Sequence, residues 1–295
     1  MKAPPLTLLA PRTATEALEL LADIGESAKP LAGGQSLMPM TIMRLARPEY
    51  LIDLNRVTDF AGLERRDDGG YRFGPLVRHY DVERLAGEQG IGGYLGSVAP
   101  AIAHLPIRLR GTVAGSLAHA DPASEWCAAL LVADATVTAR ATGTERVLEI
   151  GELLQGSFTT ALRPDELVVE VTVPGQLPGW GAGFDEVSRR PGDFALALCA
   201  AALCVSDGDI RQARVALGGA GGGVARCGPA EAALIGSGVS AATWTRAADV
   251  AAAQTDFFDD IHTSATHRRE LVRIVVRRAL AAAARRAQAN FDAPA

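Results

Sequence analysis

The sequence predicts an α+β fold with two lobes followed by a C-terminal domain. The chain has 295 residues, 48% of them hydrophobic, which is enough for more than one core. Short apolar runs typical of strands alternate with segments of helical spacing. A run rich in glycine and proline, P-G-Q-L-P-G-W-G-A-G, begins at Pro174 and is typical of a linker. We therefore expect lobes at residues 1–56 and 57–175 and a C-terminal domain at residues 176–295.

The first lobe begins with a β-α-β-like pattern. Apolar residues at helical spacing follow a Thr13/Glu16 capping box and predict a helix at residues 13–22. Residues 29–32 and 50–54 are short apolar runs that predict strands. The G-x-G-x-x-G fingerprint is absent from the sequence, which argues against a Rossmann domain.

The remaining elements follow from the same patterns. In the second lobe we expect helices at 81–86 and 93–103, a hairpin of strands 135–141 and 146–150, and a buried strand at 167–173. In the C-terminal domain we expect strands at 184–190, 195–206 and 212–217, a glycine-rich turn at 218–223, and helices at 229–235, 241–254 and 267–289.

Arginines recur along the last predicted helix and predict a basic helical face. They are Arg268, Arg269, Arg273, Arg277, Arg278, Arg285 and Arg286. Such a face is either a solvated surface or a surface that docks a partner.

Composition argues against several classes of protein. The net charge of -5 and the pI near 5.6 argue against nucleic-acid binding, which usually needs a basic face. The longest apolar run, residues 194–205, is shorter than the roughly 20 residues that span a bilayer. Prolines at positions 4, 5 and 11 interrupt any signal-like core. We therefore expect a cytoplasmic chain without a membrane span.

Cysteine and histidine spacing predicts no metal site in this chain. The four cysteines, Cys127, Cys199, Cys204 and Cys227, show no C-x-x-C spacing, so we expect reduced thiols and no iron–sulfur cluster here. The five histidines form no metal-ligand pattern such as H-E-x-x-H.

Two stretches rich in small residues predict an anion-binding site. In the first, K-P-L-A-G-G-Q-S-L-M at 29–38, adjacent glycines can expose consecutive N–H groups, and Ser36 adds a hydroxyl that could also cap a following helix. The second, R-L-R-G-T-V-A-G-S-L-A-H-A-D-P-A-S-E-W at 108–126, has the same kind of residues at 111–116. One such turn alone is more often a solvent-facing turn. Two of them suit the two phosphates of a dinucleotide.

Acidic residues follow the second stretch. Asp121 and Glu125 could accept hydrogen bonds from sugar hydroxyls, as acidic residues do in dinucleotide sites. The alternative is a solvated turn with a helix that begins at Asp121-Pro122.

Together these motifs resemble the FAD-binding medium subunit of the molybdenum hydroxylases, the group of xanthine oxidase and aerobic carbon monoxide dehydrogenase. The likeness rests first on A-G-G-Q-S-L at 32–37 and R-G-T-V-A-G-S-L-A-H-A-D-P-A-S-E at 110–125. Further blocks are L-I-D-L-N at 51–55, R-F-G-P-L-V-R-H at 72–79, T-A-L-R-P-D-E-L-V-V-E-V-T-V-P at 160–174, E-V-S-R-R-P-G-D-F-A-L-A at 186–197 and H-R-R-E-L-V-R-I-V-V-R-R-A-L at 267–280. Three residues depart from the family pattern: Ala114 replaces a glycine, His267 a tyrosine and Pro75 a small residue.

The resemblance implies a two-lobed FAD-binding fold of the vanillyl-alcohol oxidase/PCMH type, followed by a C-terminal α+β domain with an antiparallel sheet and helices. It implies FAD-binding residues in three places. These are Leu31, Ala32, Gly33, Gly34, Gln35, Ser36 and Leu37, then Thr112, Ala114, Gly115, Ser116, Asp121 and Glu125, and finally Leu167 and Val168. The last two would lie against the flavin or adenine rings, and their alternative role is core packing.

The resemblance also implies a place in a three-subunit enzyme, as a dimer of heterotrimers. A large subunit would carry the molybdopterin cofactor, a small subunit two [2Fe–2S] clusters, and this chain FAD that passes electrons to an external acceptor. No catalytic side chain is assigned, because the flavin supplies the redox chemistry. The alternatives are a self-sufficient FAD oxidase or dehydrogenase and a nucleotide-binding scaffold subunit without redox function.

Overall fold

A computed structural model describes residues 4–176 and 178–292. Three main sheets follow one another along the chain, with three, five and four strands, and helices pack around them. The predicted α+β class is confirmed. Within the described ranges, no helix is both long enough and apolar enough to cross a membrane.

The first sheet is parallel, with strand order β1-β3-β2. Its elements are β1 Thr7–Leu9, α1 Ala14–Ile24, β2 Ala28–Leu31, α2 Leu37–Ile42 and β3 Tyr50–Asp53. The predicted helix and two strands are confirmed, whereas β1 was not predicted. Thr13 caps α1 because its Oγ1 accepts a hydrogen bond from the Glu16 N–H at 3.2 Å. The first glycine stretch leaves this sheet at the carboxyl end of β2.

The second sheet is antiparallel, with strand order β4-β5-β10-β6-β7. In chain order the elements are β4 Leu63–Arg65, β5 Tyr71–Phe73, α3 His79–Glu83, α4 Gly90–Val98, α5 Leu105–Arg108, α6 Val113–His119, α7 Glu125–Val132, β6 Thr136–Ala141, β7 Thr144–Glu149, α8 Ile150–Leu153, β8 Leu154–Gly156, β9 Thr159–Thr160 and β10 Leu167–Val173. The predicted hairpin and buried strand are confirmed. Helices α5, α6 and α8 were not predicted, and a helix near α7 was considered only as an alternative. Helix α6 lies where an open glycine turn was expected.

The third sheet is antiparallel and is covered by the last helices. Its elements are β11 Trp180–Ser188, β12 Ala195–Ser206, β13 Asp209–Gly218, β14 Ala225–Arg226, α9 Gly228–Leu234, α10 Ala241–Gln254 and α11 Ala265–Asp292. Strand β12 is buried on both faces: Cys199 lies in the core beneath α10 and α11, and Ala200 in the core that contains Trp126. This burial explains why β12 is a continuous apolar run. The second and third sheets therefore share one core.

The arginines of α11 form only part of the basic face that the sequence predicted. Arg268 is only 2% exposed. Arg286 donates to the Ala182 carbonyl at 2.9 Å, and Arg273 donates to Asp249 at 2.8 Å. These arginines bond to the protein itself because one side of the helix packs against the sheet and α10. The exposed part of the face consists of Arg269, Arg277, Arg278 and Arg285.

Candidate functional site

The first glycine stretch presents a run of unpartnered backbone donors. The five N–H groups from Gly33 to Leu37 make no hydrogen bond with any other described residue. The segment is half-buried except for the exposed Ser36, so a ligand can reach these groups. Gln35 steadies the turn, since its Nε2 donates to the Gly33 carbonyl at 2.9 Å. Consecutive free amides of this kind form an anion-binding concavity.

Both glycines of this stretch are needed for its geometry. Gly34 has φ +70°, in the left-handed region that favours glycine. A Cβ at Gly33 would clash with the Arg110 carbonyl oxygen and would lie 2.6 Å from the Gly111 Cα. The structure therefore brings the two predicted stretches into direct backbone contact.

Ser36 does not cap the following helix with its side chain. It occupies the N-cap position of α2, but its hydroxyl makes no cap hydrogen bond. The predicted cap is wrong because Ser36 has helical φ and ψ of -105° and -49°, instead of the extended backbone of a capping serine. Its exposed hydroxyl stays available beside the five amides.

The second stretch is a helix start instead of the open turn that was expected. Thr112 caps α6, accepting from the Gly115 N–H through its Oγ1 at 3.0 Å and from the Ser116 N–H through its carbonyl at 3.1 Å. The Val113 N–H is also bonded to a backbone carbonyl. Among the described residues, the N–H groups of Thr112 and Ala114 in this segment lack a partner. The second stretch therefore has two free amides, fewer than the first, because the helix and its cap use the other three.

The acidic residues lie on either side of a short turn before α7. Asp121 accepts from the Ala123 N–H at 2.8 Å, and its other carboxylate oxygen lies 3.9 Å from His119 Nε2. Helix α7 begins at Glu125 with Ser124 as its cap, so the alternative of a helix beginning at Asp121-Pro122 is wrong. The capped turn places Asp121 and Glu125 on one segment after α6.

Glu125 has a second acid beside it that the sequence did not reveal. Burial raises the pKa of Glu125 to about 7, and the nearby charge of Asp121 adds to this. Burial raises the pKa of Glu186 on β11 to about 8, and the charges of Glu125 and Asp185 add to this. Glu186 Oε2 is buried without a hydrogen-bond partner among the described residues. Glu125 begins α7 and Glu186 lies on β11, so only the tertiary fold brings them together.

Glu186→Gln is expected to remove a pH dependence of stability. In the folded wild type the Glu186 pKa is about 8, against an ordinary value of 4.5, so the folded form binds more protons than the unfolded form between these values. The wild-type free energy of unfolding should therefore fall as pH rises through this window, while the glutamine cannot ionise.

The measurement is urea unfolding of both full-length chains at about pH 5 and about pH 8.5, where the variant should gain stability relative to wild type only at the higher pH. Glu19→Gln, on the exposed side of α1, is the matched control and should follow the wild type. Parallel pH profiles for Glu186→Gln and wild type would contradict the raised pKa.

Leu167 and Val168 are buried core residues of β10. Leu167 packs with the core of the first lobe, and Val168 packs with the core shared by the second and third sheets. Strand β10 therefore joins the two lobes at the point where they meet. Contact of either residue with cofactor rings stays a prediction.

Two polar residues that the sequence did not single out join the two stretches. Asn55 Nδ2 donates to the Ala32 carbonyl at 2.8 Å, and Asn55 Oδ1 accepts from Arg78 at 2.6 Å. Arg78 also donates to the Arg110 carbonyl. Asn55 and Arg78 lie in the sequence blocks 51–55 and 72–79. Their place in these blocks, which resemble the family, was the sequence signal that could have identified them.

His79 packs against the second stretch at Gly111. It is buried, and its Nδ1 accepts from Trp126 Nε1 at 3.0 Å. Burial and the positive charges of Arg78 and Arg108 lower the His79 pKa to about 4. The imidazole is therefore neutral at physiological pH, with its proton on Nε2, the atom that lies beside Gly111.

Two family models match the chain and together span most of it. A model described as the FAD binding domain in molybdopterin dehydrogenase matches residues 4–176. A model described as the CO dehydrogenase flavoprotein C-terminal domain matches residues 182–283.

Individual proteins show the same relationship over nearly full length. The chain is 41% identical over 290 residues to the alpha subunit of the 6-hydroxypseudooxynicotine dehydrogenase complex of Paenarthrobacter nicotinovorans, covering 98% of this chain and 97% of that subunit. It is 38% identical over 290 residues to the nicotine 6-hydroxylase medium subunit of the same organism, covering 97% and 100%.

Solved structures share the fold. A chain of carbon monoxide dehydrogenase from Hydrogenophaga pseudoflava, in a form that lacks the Mo-pyranopterin moiety of the molybdenum cofactor, superposes with a TM-score of 0.92 at 31% identity, covering 97% of this chain and 99% of that one. A chain of quinoline 2-oxidoreductase from Pseudomonas putida 86 superposes with a TM-score of 0.89 at 30% identity, covering 99% and 100%.

These matches confirm the predicted resemblance and the two-lobed FAD-binding fold with its C-terminal α+β domain. They run through both predicted stretches and through β10 and α11. The chain belongs to the family of FAD-binding medium subunits of the molybdenum hydroxylases, and it is an FAD-dependent oxidoreductase subunit of a multi-subunit enzyme.

Proposed function

We propose that this chain binds one FAD noncovalently across the two stretches and collects electrons from a partner subunit for delivery to an external acceptor. The observation that carries the proposal is the run of five unpartnered N–H groups from Gly33 to Leu37, in backbone contact with Gly111. Such a run fits an anionic group, because a half-buried segment with unpaired amides is stabilised when a ligand accepts their hydrogen bonds.

The residues of the site divide into three tasks. The amides of 33–37 with the Ser36 hydroxyl would bind one phosphate, and the Ala114 N–H with Ser116 would bind the other. Asp121 and Glu125 would accept hydrogen bonds from ribose or ribityl hydroxyls. When bound, the isoalloxazine supplies the electron-accepting and electron-donating chemistry, so no acid–base side chain is required.

The partners follow from the relatives, which are named as subunits of dehydrogenase and hydroxylase complexes. We propose a large subunit with the molybdopterin cofactor and a small subunit with two [2Fe–2S] clusters, assembled as a dimer of heterotrimers in the cytoplasm. We also propose that residues 1–56 and 57–175 act as the two FAD-binding lobes and residues 176–295 as a separate C-terminal domain.

The electron path is tested by anaerobic flavin spectra. The FAD-loaded chain alone should keep its oxidised spectrum with aldehydes, N-heterocycles and carbon monoxide, because the molybdenum and iron–sulfur centres that would oxidise the substrate and reduce the flavin are proposed for the partner subunits. Mixed with its partner subunits, the flavin should bleach when the substrate of the complex is added. Rapid bleaching of the lone chain would instead favour a self-sufficient flavoenzyme.

Cofactor identity is tested on the purified chain by acid precipitation, which should release one FAD per chain into the supernatant. Flavin that stays in the pellet would contradict noncovalent binding, and FMN in the supernatant would contradict the two phosphate positions. A chain that binds no flavin at all would support the scaffold alternative.

A further inference from the structure

A side-chain bridge spans the two stretches. At one end, Asn55 Nδ2 donates to the carbonyl of Ala32, the residue before the glycine pair. At the other end, Arg78 donates to the carbonyl of Arg110, the residue before Gly111. The two side chains meet in the middle, where Arg78 donates to Asn55 Oδ1 at 2.6 Å. We call Asn55 and Arg78 the bridge.

Each member of the bridge is itself held in place. The Asn55 amide nitrogen also donates to Asp53 Oδ1 at 2.6 Å, and the Asn55 N–H donates to the same oxygen at 3.0 Å. The Arg78 backbone donates to Asp81 Oδ2 at 2.9 Å. Neighbouring groups in the chain therefore fix the Asn55 side chain and the Arg78 backbone, as expected of residues that position others.

The backbone around Arg78 supports the second stretch directly. The His79 N–H donates to the Gly111 carbonyl, and the Val113 N–H donates to the Val77 carbonyl, both at 3.1 Å. These bonds flank Arg78 and Thr112, which pair as in an antiparallel sheet although neither belongs to a strand. The second stretch therefore moves with Arg78, whereas the first stretch is joined to it through Asn55.

We infer that Asn55 and Arg78 are positioning residues that set the separation of the two stretches and thereby hold both phosphate positions at the spacing of one diphosphate. This inference rests on the proposed FAD function. The bridge binds the carbonyl groups of Ala32 and Arg110. It therefore leaves the N–H groups of residues 33–37 free for the ligand.

The test is a double-mutant cycle on the full-length chain, with FAD as the probe and flavin fluorescence quenching as the readout. Asn55→Ala and Arg78→Met should each weaken FAD affinity about 30-fold, since each removes the same charge-assisted hydrogen bond. The double variant should be at most about 3-fold weaker than either single variant, because residues of one unit are not additive.

Arg78→Lys separates positioning from charge. Lysine keeps the positive charge but cannot donate to both Asn55 and the Arg110 carbonyl from a planar fork, so its affinity should fall about as far as that of Arg78→Met. Arg66→Met is the matched control, because among the described residues the Arg66 side chain pairs only with Asp68, in the turn between β4 and β5. This variant should bind FAD like wild type. Melting temperatures of the flavin-free chains show whether each variant folds.

Three results would overturn the inference while wild-type FAD binding stands. The first is that Arg78→Lys binds FAD like wild type and Asn55→Ala loses less than about 3-fold in affinity, which would mean that Arg78 acts by charge alone. Single losses that multiply in the double variant would mean that the two residues act separately. Affinity losses matched by a collapse in melting temperature would mean that they only stabilise the fold. Failure of the wild type itself to bind FAD would instead overturn the proposed function.

Discussion

Gly33→Ala is expected to abolish FAD retention while the protein still folds. A Cβ at this position clashes with the Arg110 carbonyl and lies 2.6 Å from the Gly111 Cα, so the two stretches must separate. The atoms that block it are backbone, which cannot rotate away as a side chain can. Losing one or two charge-assisted hydrogen bonds to phosphate costs about 3 kcal/mol, so we expect FAD affinity to fall at least about 100-fold.

The measurement is flavin absorbance of the purified chain together with FAD titration of the flavin-free form, with circular dichroism to confirm folding. Gly222→Ala is the matched control, because a Cβ there meets no atom within 4 Å. That control belongs to the third glycine cluster, for which a plain turn was predicted. Equal flavin loss in both variants at unchanged circular dichroism would show that the first stretch is not the phosphate site.

Arg268→Met is expected to produce the largest loss of stability, about 2–4 kcal/mol. The Arg268 guanidinium is buried and donates to the Leu196 carbonyl at 2.7 Å and the Gly219 carbonyl at 2.6 Å. It also pairs with Asp260 at 2.5 Å. Methionine keeps the length of the side chain but leaves these acceptors unpaired. The expected loss of stability is smaller than the full cost of breaking a buried ion pair, because Asp260 is 29% exposed.

Urea unfolding at neutral pH measures the effect. Arg269→Met is the control, since Arg269 is exposed and lies over the Phe257 ring at 5.2 Å from its centroid, and it should change stability by less than about 1 kcal/mol. A similar unfolding midpoint for Arg268→Met and wild type would show that the buried guanidinium contributes little. The two variants compare a buried and an exposed arginine of the same helix.

Local sequence patterns predicted most of the elements correctly. Apolar spacing and the Thr13 cap indicated α1, and alternation around Thr142-Gly143-Thr144 indicated the β6–β7 hairpin, because these signals depend on neighbours in the chain. The continuous apolar run of β12 was also recognised as a strand. Helix α6 was missed because Gly111 and Gly115 are poor helix formers, and the capping by Thr112 is visible only once the backbone is placed.

The candidate site was predictable only in part. The glycine stretches were identified from their small residues, and their order with the later blocks indicated the family. The sequence alone determined the family, since the motif blocks lie in the chain itself, and it predicted one cofactor site formed by residues 32–37 and 110–125. It could not show that Gly33 touches the backbone of Gly111, because the distance between remote segments depends on packing.

Only the tertiary structure decided which polar groups are free and which are used. It showed that the 33–37 amides are unpaired whereas the Gly115 N–H is consumed by Thr112, and that Asn55 and Arg78 join the stretches. It also placed Glu186 beside Glu125 and buried Arg268. The physical reason is common to all of these: hydrogen bonding and burial are properties of a side chain's neighbours in space, which a one-dimensional pattern does not contain.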